Sequence, residues 1–257
     1  MQMEVPFRAV RLTHTYATVE IRELLYLSEG QCKDIMVKLK DLFGITEALV
    51  FSTCNRTEVF YVDERDLSEE IISLLCVAKG LLKVDTYKPY FEVLNEEEEV
   101  VRKLFEVSMG LESSVLGDLQ ISNQIKKAYI WANEQGMAQA YLHRLLHTIF
   151  HANKRVHQET PFRDGAASVS YASAELAYNL TQHLTFPKVL VLGIGEMGKD
   201  VALSLDLDHF EQIDLCNRTM SKAQALALDC DAGVGFVMHK IYSDELVRHS
   251  NELSFED

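Results

Sequence analysis

No window of the 257-residue chain approaches the roughly 18 to 20 uninterrupted apolar residues that cross a bilayer, and the opening MQMEVPFRAV lacks a basic-then-apolar secretory pattern. A soluble, cytoplasmic protein with no membrane partner is expected. Proline and glycine are scarce, at four and 12 residues, which excludes a collagen-like chain and a Pro/Gly-rich linker architecture. Low complexity is confined to Glu96-Glu97-Glu98-Glu99. The five cysteines (Cys32, Cys54, Cys76, Cys216 and Cys230) are odd in number and irregularly spaced, with no CxxC pair and no zinc-ligand spacing. A disulfide framework and a metal site are therefore not expected, and any cysteine chemistry is that of a free thiol. Basic charge is also short: 25 Lys and Arg face 39 Asp and Glu, a net charge of −14. Such a balance argues against indiscriminate nucleic-acid binding, which rests on clustered Lys and Arg.

What is present is the composition of a folded protein, 47% hydrophobic and 25% charged. Its charge is segregated. Residues 119–163 carry six basic side chains against two acidic and four histidines, whereas residues 63–99 carry four basic against eleven acidic. A polyanion can therefore still meet one favourable face; Lys126, Lys127, Lys154 and Arg155 are its candidates, and an ordinary solvated helix surface explains them equally well.

Element signals come in a readable order. The extended PFRAVRLTHTY is followed by a capping-box pattern, Ser28 and Gln31, opening an amphipathic stretch that ends at Gly44. EALVFS and EVFYV read as strands joined through Thr53-Cys54-Asn55-Arg56-Thr57; a helical run from about Ser68 to Gly80 and an extended segment near Tyr90 to Val93 follow. This β-α-β-β-α-β order is that of a ferredoxin-like split fold. Asn95 is expected to cap a wholly helical region with breaks near 110–117 and at Gly136, and a further helix runs from about Ser168 to Asn179. After Pro187, KVLVLGIGEMGKDVALSL reads as a buried strand, glycine turn and helix, followed by the strand QIDLC and another helix. The expectation is an α+β amino-terminal domain, ferredoxin-like with added helices, over 1–164, a helical connection over 165–186, and a partial α/β Rossmann-type domain over 187–257.

Several segments could carry chemistry. Gly193-Ile194-Gly195-Glu196-Met197-Gly198 fits G-x-G-x-x-G between strand and helix, where the glycines permit a tight turn, backbone approach to a pyrophosphate and close helix packing. A glycine loop without ligand is the alternative. Asn217-Arg218-Thr219 stands where an NAD enzyme usually places a carboxylate, and an arginine there suits a 2′-phosphate, favouring NADPH, unless these are plain surface groups. Cys54 lies at a strand junction two positions from Arg56, whose guanidinium would favour the thiolate if it lay close; an inert small hydrophobe is the bland reading and is assigned to the other four cysteines. Residues 110–124 interrupt the helical pattern with Ser113, Asp118, Gln120 and Gln124, either at a pocket's edge or in a solvated connection.

Together, Ser52-Thr53-Cys54-Asn55-Arg56-Thr57-Glu58, GLESSVLGDLQISNQIKKAY, HRLLHTIFHANKRVHQET, VSYASAELA, VLGIGEMG and NRT resemble, in order and spacing, the glutamyl-tRNA reductase family. The resemblance implies NADPH-dependent reduction of glutamyl-tRNA to glutamate-1-semialdehyde, the first step of five-carbon tetrapyrrole (heme) synthesis, through a thioester on Cys54. It implies that Arg56 holds the glutamate side-chain carboxylate and that Thr53, Asn55, Ser113, Gln120 and Gln124 line the glutamate pocket, with Asp118 and Leu119 in the same substrate segment. It places NADPH at Gly193, Ile194, Gly195, Glu196, Met197 and Gly198, and at Asn217, Arg218 and Thr219. Glutamyl-tRNA is the implied partner, with the downstream aminomutase that takes up the semialdehyde as a further one.

The sequence departs from the family pattern at Lys103, where the family has a catalytic histidine, and at Asp118, one methylene shorter than the family's glutamate. The family continues into a helical dimerisation domain that is not expected within these residues. These departures keep a second reading open: a non-catalytic reductase-like protein that binds NADP(H), charged tRNA or a heme-pathway partner.

Overall fold

A computed structural model describes residues 6–113, 117–160, 162, 169–205, 208–229 and 237–238. The chain divides into two compact units, Met1–Asp164 and Gly165–Asp257. In the first, strands β1 (Phe7–Thr13), β2 (Glu47–Ser52), β3 (Arg56–Val62) and β4 (Phe91–Leu94) form one antiparallel sheet in the order β2-β3-β1-β4. This is the ferredoxin-like arrangement that the β-α-β-β-α-β order predicts. Apolar runs make these strands because both sheet faces are covered: Val10 and Leu12 alternate with Phe7 and Ala9, and all four are buried.

Helix α2 (Glu29–Phe43) begins at the expected capping box, with Ser28 Oγ accepting from Gln31 N at 3.4 Å and Gln31 Oε1 accepting from Ser28 N at 3.0 Å. It stops at Gly44, whose φ of 74° turns its N–H back onto the Leu39 and Lys40 carbonyls. Its buried face is Cys32, Ile35, Met36 and Leu39. Helix α3 (Ser68–Ala78) follows β3, and a short helix α4 (Val84–Tyr87) with a 3-10 turn (Lys88–Tyr90) leads into β4.

Two local expectations change. A seven-residue helix, α1 (Val19–Leu25), precedes the capping box. Asn95 does not cap the next helix, α5 (Glu97–Ser108): the cap position is Glu96, and the Asn95 amide instead accepts from Arg8 Nη1 at 2.8 Å and donates to Asp66 at 3.0 Å. A tertiary tie outcompetes the local one.

Helices α6 (Leu119–Glu134) and α7 (Ala140–Glu159) complete the unit. The first turn of α7 has no local side-chain cap; the Glu47 carboxylate, 9% exposed, accepts from Tyr141 N at 3.3 Å and Leu142 N at 2.8 Å. Glu47→Ala leaves both amides without an acceptor and is expected to cost about 1.5–3 kcal/mol. Urea unfolding checks this; an unchanged midpoint would refute it.

In the second unit, β5 (Lys188–Leu192), β6 (Gln212–Cys216) and β7 (Val237–Met238) form a parallel sheet in that order, with α9 (Glu196–Ser204) and α10 (Met220–Asp229) as crossovers. This is a Rossmann-type half. Helix α8 (Val169–Thr181) belongs to the same unit rather than forming a separate connection. Its Ala174 is buried in one cluster with Val191, Ala202 and Leu215, and Ser170 Oγ donates to Met197 O at 3.3 Å. Among the described residues no helix is long and apolar enough to cross a membrane.

Candidate active site

The β2–β3 hairpin leaves Thr53, Cys54 and Asn55 to make the turn. Thr53 N donates to Arg56 O at 2.8 Å and Thr53 Oγ1 accepts from Asn55 N at 3.1 Å, so backbone and hydroxyl lock the loop and push Cys54 outward. Cys54 is exposed, whereas Cys32, Cys76 and Cys216 are buried. Burial pushes the Cys32 thiol up to about 12 and raises that of Cys76, which makes both poor nucleophiles. Cys230 lies outside the described residues.

Cys54 opens into a cavity of about 650 Å³ shared by the hairpin (Ser52 to Asn55), Arg22 of α1, Tyr26 just after that helix, and Gln124 of α6. Arg22 Nε donates to the Cys54 carbonyl at 3.2 Å, and its Nη1 donates to Ala17 O at 2.7 Å. The guanidinium that reaches the cysteine loop is thus that of Arg22, which no sequence motif marked.

Arg56 turns the other way. Strand alternation puts it with Glu58 on one sheet face, where pairing sets Arg11 opposite Glu58 on one side and Glu92 on the other. Arg56 is 2%, Arg11 1% and Glu58 0% exposed. Glu58 accepts from Arg11 Nε at 3.2 Å and from Arg56 Nη1 at 3.0 Å, and Glu92 accepts from Arg11 Nη1 at 2.6 Å. Glu112, in the connection after α5, completes the network. Its carboxylate accepts from Arg11 Nη2, from Arg56 Nη1 at 3.3 Å and from Lys103 Nζ at 2.7 Å, while its carbonyl accepts from Arg56 Nη2 at 2.6 Å. Burial opposes ionisation of Glu112, yet the Lys103 hydrogen bond and the Arg11 charge outweigh it and hold its pKa below the ordinary value. Arg11 is likewise held above its ordinary range by these carboxylates, against the opposing effect of burial.

Lys103 donates to both Glu112 and Glu106, the latter at 3.0 Å. The bond to Glu112 outweighs burial and raises the Lys103 pKa, so the ammonium stays charged near neutral pH and serves as an ion-pair partner. Burial and the positive charges of Arg56 and Arg22 lower the pKa of His14, which also feels Glu112.

The 110–124 segment is built on two pinned feet. Gly110 has φ of 75°, its carbonyl accepts from Gly117 N at 3.0 Å, and a Cβ there would meet Asp118 N at 2.7 Å. Asp118 accepts from Gln120 N at 2.9 Å and caps α6, so its carboxylate is engaged by the helix. Gln120 and Gln124 share one face of α6 at i, i+4 spacing. Ser113 is half-buried and its N–H donates to Gly110 O at 3.3 Å. Leu119 opens α6, and its side chain lies outside the described residues.

In the second unit, Gly193 has φ of 90° and its N–H donates to Cys216 O at 2.8 Å, fixing the turn to the end of β6. Helix α9 packs so tightly that a Cβ on Gly198 would stand 1.9 Å from Gly193 O, while a Cβ on Gly195 would meet nothing within 4 Å. Asn217 Oδ1 accepts from Ile194 N at 3.3 Å, tying the two strand ends together. Glu196 and Met197 are exposed in the first turn of α9, and Arg218 and Thr219 are exposed after β6. An uncapped helix start and open backbone at Gly195 fit a dinucleotide pyrophosphate. Gly198→Ala is expected to weaken binding of a nicotinamide dinucleotide about tenfold by separating α9 from the turn. Titration by nicotinamide fluorescence tests this; unchanged affinity would refute it.

The family model described as "Glutamyl-tRNAGlu reductase, N-terminal domain" matches residues 10–160, and "Shikimate / quinate 5-dehydrogenase" matches residues 175–247. The glutamyl-tRNA reductase of Cytophaga hutchinsonii is 47% identical over 225 residues, covering 87% of this chain and 53% of the relative. That of Chlorobium phaeobacteroides is 39% identical over 225 residues, covering 85% of this chain and 51% of the relative. The solved glutamyl-tRNA reductase of Methanopyrus kandleri superposes with a TM-score of 0.59 at 32% identity, covering 96% of this chain and 56% of that one. The chain thus spans about half the length of the curated relatives it matches.

Proposed function

The chain belongs to the glutamyl-tRNA reductase family, and from that membership we propose that Cys54 accepts the glutamyl group of glutamyl-tRNA as the first half of an NADPH-dependent reduction to glutamate-1-semialdehyde. The observation that carries this reading is the exposed Cys54 at a hairpin tip, opening into a cavity with Gln124 and Arg22.

In this reading the Cys54 thiolate adds to the ester carbonyl, the bond to the terminal ribose oxygen breaks, and that oxygen leaves with a proton as the tRNA hydroxyl. A thioester on Cys54 remains. Thr53 and Asn55 hold the loop, Arg22 anchors the Cys54 carbonyl, and Gln124 and Gln120 offer amide groups to the substrate's polar atoms. Arg56 receives the side-chain carboxylate. Lys103, kept cationic, contributes charge rather than proton transfer. NADPH, held by the Gly193–Gly198 turn with Arg218 and Thr219 toward its 2′-phosphate, would supply the hydride that converts the thioester to the aldehyde and frees the thiolate. The exposed Lys126, Lys127 and Lys154 on α6 and α7 are the surface offered to tRNA phosphates. An aminomutase is the class of enzyme that would consume the aldehyde.

The test is to mix the protein with tRNA carrying labelled glutamate, omit NADPH and quench in acid. Label should stay on the protein and be released by neutral hydroxylamine. Label that remains wholly on tRNA, with tRNA still bound, would replace this reading with that of a non-catalytic binder.

A further inference from the structure

The proposed task of Arg56 conflicts with its surroundings in the free chain. All its described hydrogen bonds go to Glu58 and Glu112, and at 2% exposure it has no open side for another carboxylate. Of these two partners, Glu58 is fixed in the middle of the sheet and fully buried, whereas the Glu112 side chain is 21% exposed. Glu112 also stands in a connection outside the sheet, where Gly117 N donates to Gly110 O at 3.0 Å and ties the ends of α5 and α6 together without the Glu112 side chain.

We propose that Arg11, Arg56 and Lys103 form a carboxylate seat that Glu112 fills in the free chain, and that the side-chain carboxylate of the incoming acyl group enters by displacing Glu112. The second clause rests on the acyl-acceptor reading above; the seat itself does not.

Charge accounting supports the exchange. Without the Glu112 carboxylate, Arg11 keeps Glu58 and Glu92 and Lys103 keeps Glu106, but Arg56 keeps only a shared Glu58 as a charged partner, beside the neutral Glu112 carbonyl. A buried guanidinium with half a partner is costly, so a free chain needs an internal anion there and a substrate must bring an equivalent one. One carboxylate for another conserves the charge and the hydrogen bonds donated by Arg11 Nη2, Arg56 Nη1 and Lys103 Nζ. The seat would therefore select an acyl group by its distal carboxylate, with Arg11 and Lys103 as specificity residues beside Arg56.

Removing the internal carboxylate should leave a notch that a small free carboxylate can enter. The thermal midpoint of Glu112→Ala should lie below that of the native chain and rise with added sodium acetate, but not with sodium chloride at the same ionic strength; the native chain should not distinguish the two salts. Identical responses to acetate and chloride in Glu112→Ala would overturn the seat. Should that variant fail to fold, Glu112→Gln decides instead. With the competing charge removed, the glutamyl-tRNA concentration giving half-maximal labelling of the protein should fall about tenfold if the free chain keeps the seat closed about nine-tenths of the time. A rise would show that Glu112 only positions Arg56. Acetate recovery without any labelling would leave the seat standing and reject the acyl-acceptor reading.

Discussion

Cys54→Ser is expected to lower transfer of labelled glutamate from tRNA to the protein by on the order of 10³-fold or more, because a serine hydroxyl is almost wholly un-ionised at neutral pH and is a far weaker nucleophile than a thiolate. Structure should be spared. Cys54 is exposed at the loop tip, and the contacts that fix the loop run through Thr53 Oγ1 and backbone groups of Thr53 and Arg56, none of which the substitution touches. The unfolding midpoint is therefore expected to stay within error of the native value while labelling disappears. Cys32→Ser makes the opposite pair of results: its thiol packs inside α2 against the sheet and its pKa is pushed up to about 12 by burial, so stability should fall and labelling persist. Labelling that survives in Cys54→Ser would remove the nucleophile from the mechanism.

Much of the fold was legible because its signals are local. The Ser28–Gln31 capping box, the Gly44 stop and the alternating or continuous apolar strands each depend on residues a few positions apart. Helix α1 carries no such signal, because Thr18 makes no side-chain cap and seven residues give too short a period. Asn95 misled for a related reason: it has the right type for a cap, but Arg8 and Asp66, distant in sequence, take its amide.

The same division runs through the candidate site. Cys54 and the glycine turn sit in short motifs whose residues act together. The arginine network instead depends on register, which sets Arg11 between Glu58 and Glu92 across three strands. Nothing in the sequence marks Arg11, Arg22 or His14, and Glu112 lies in a segment whose local pattern singles out Ser113, Asp118 and the glutamines instead. The proximity of Arg56 to Cys54 in sequence suggested a guanidinium aimed at the sulfur; the strand's period of two and the buried acids of the sheet turn it to the opposite task.

That network carries the second large effect. Glu58 is fully buried and accepts from Arg11 Nε, Arg11 Nη2 and Arg56 Nη1 at 3.2, 3.3 and 3.0 Å. Glu58→Ala leaves two buried guanidinium groups short of a carboxylate, and breaking a buried pair from one side costs about 3–5 kcal/mol. Against a total stability of roughly 5–15 kcal/mol, most of the first unit's margin is lost, with a fall in thermal midpoint of roughly 10 °C. A midpoint unchanged within error would mean that water or rearranged acids satisfy the arginines. The outer member of the network adds a pH signature of known sign. The Glu112 carboxyl is held below its ordinary value of 4.5, so its contribution is complete above that pH and is lost as pH falls through the lower folded value. Native protein should therefore lose stability more steeply than Glu112→Gln on acidification below about pH 4.5, and coincident pH profiles of the two chains would show that Glu112 is not held by these cations in solution.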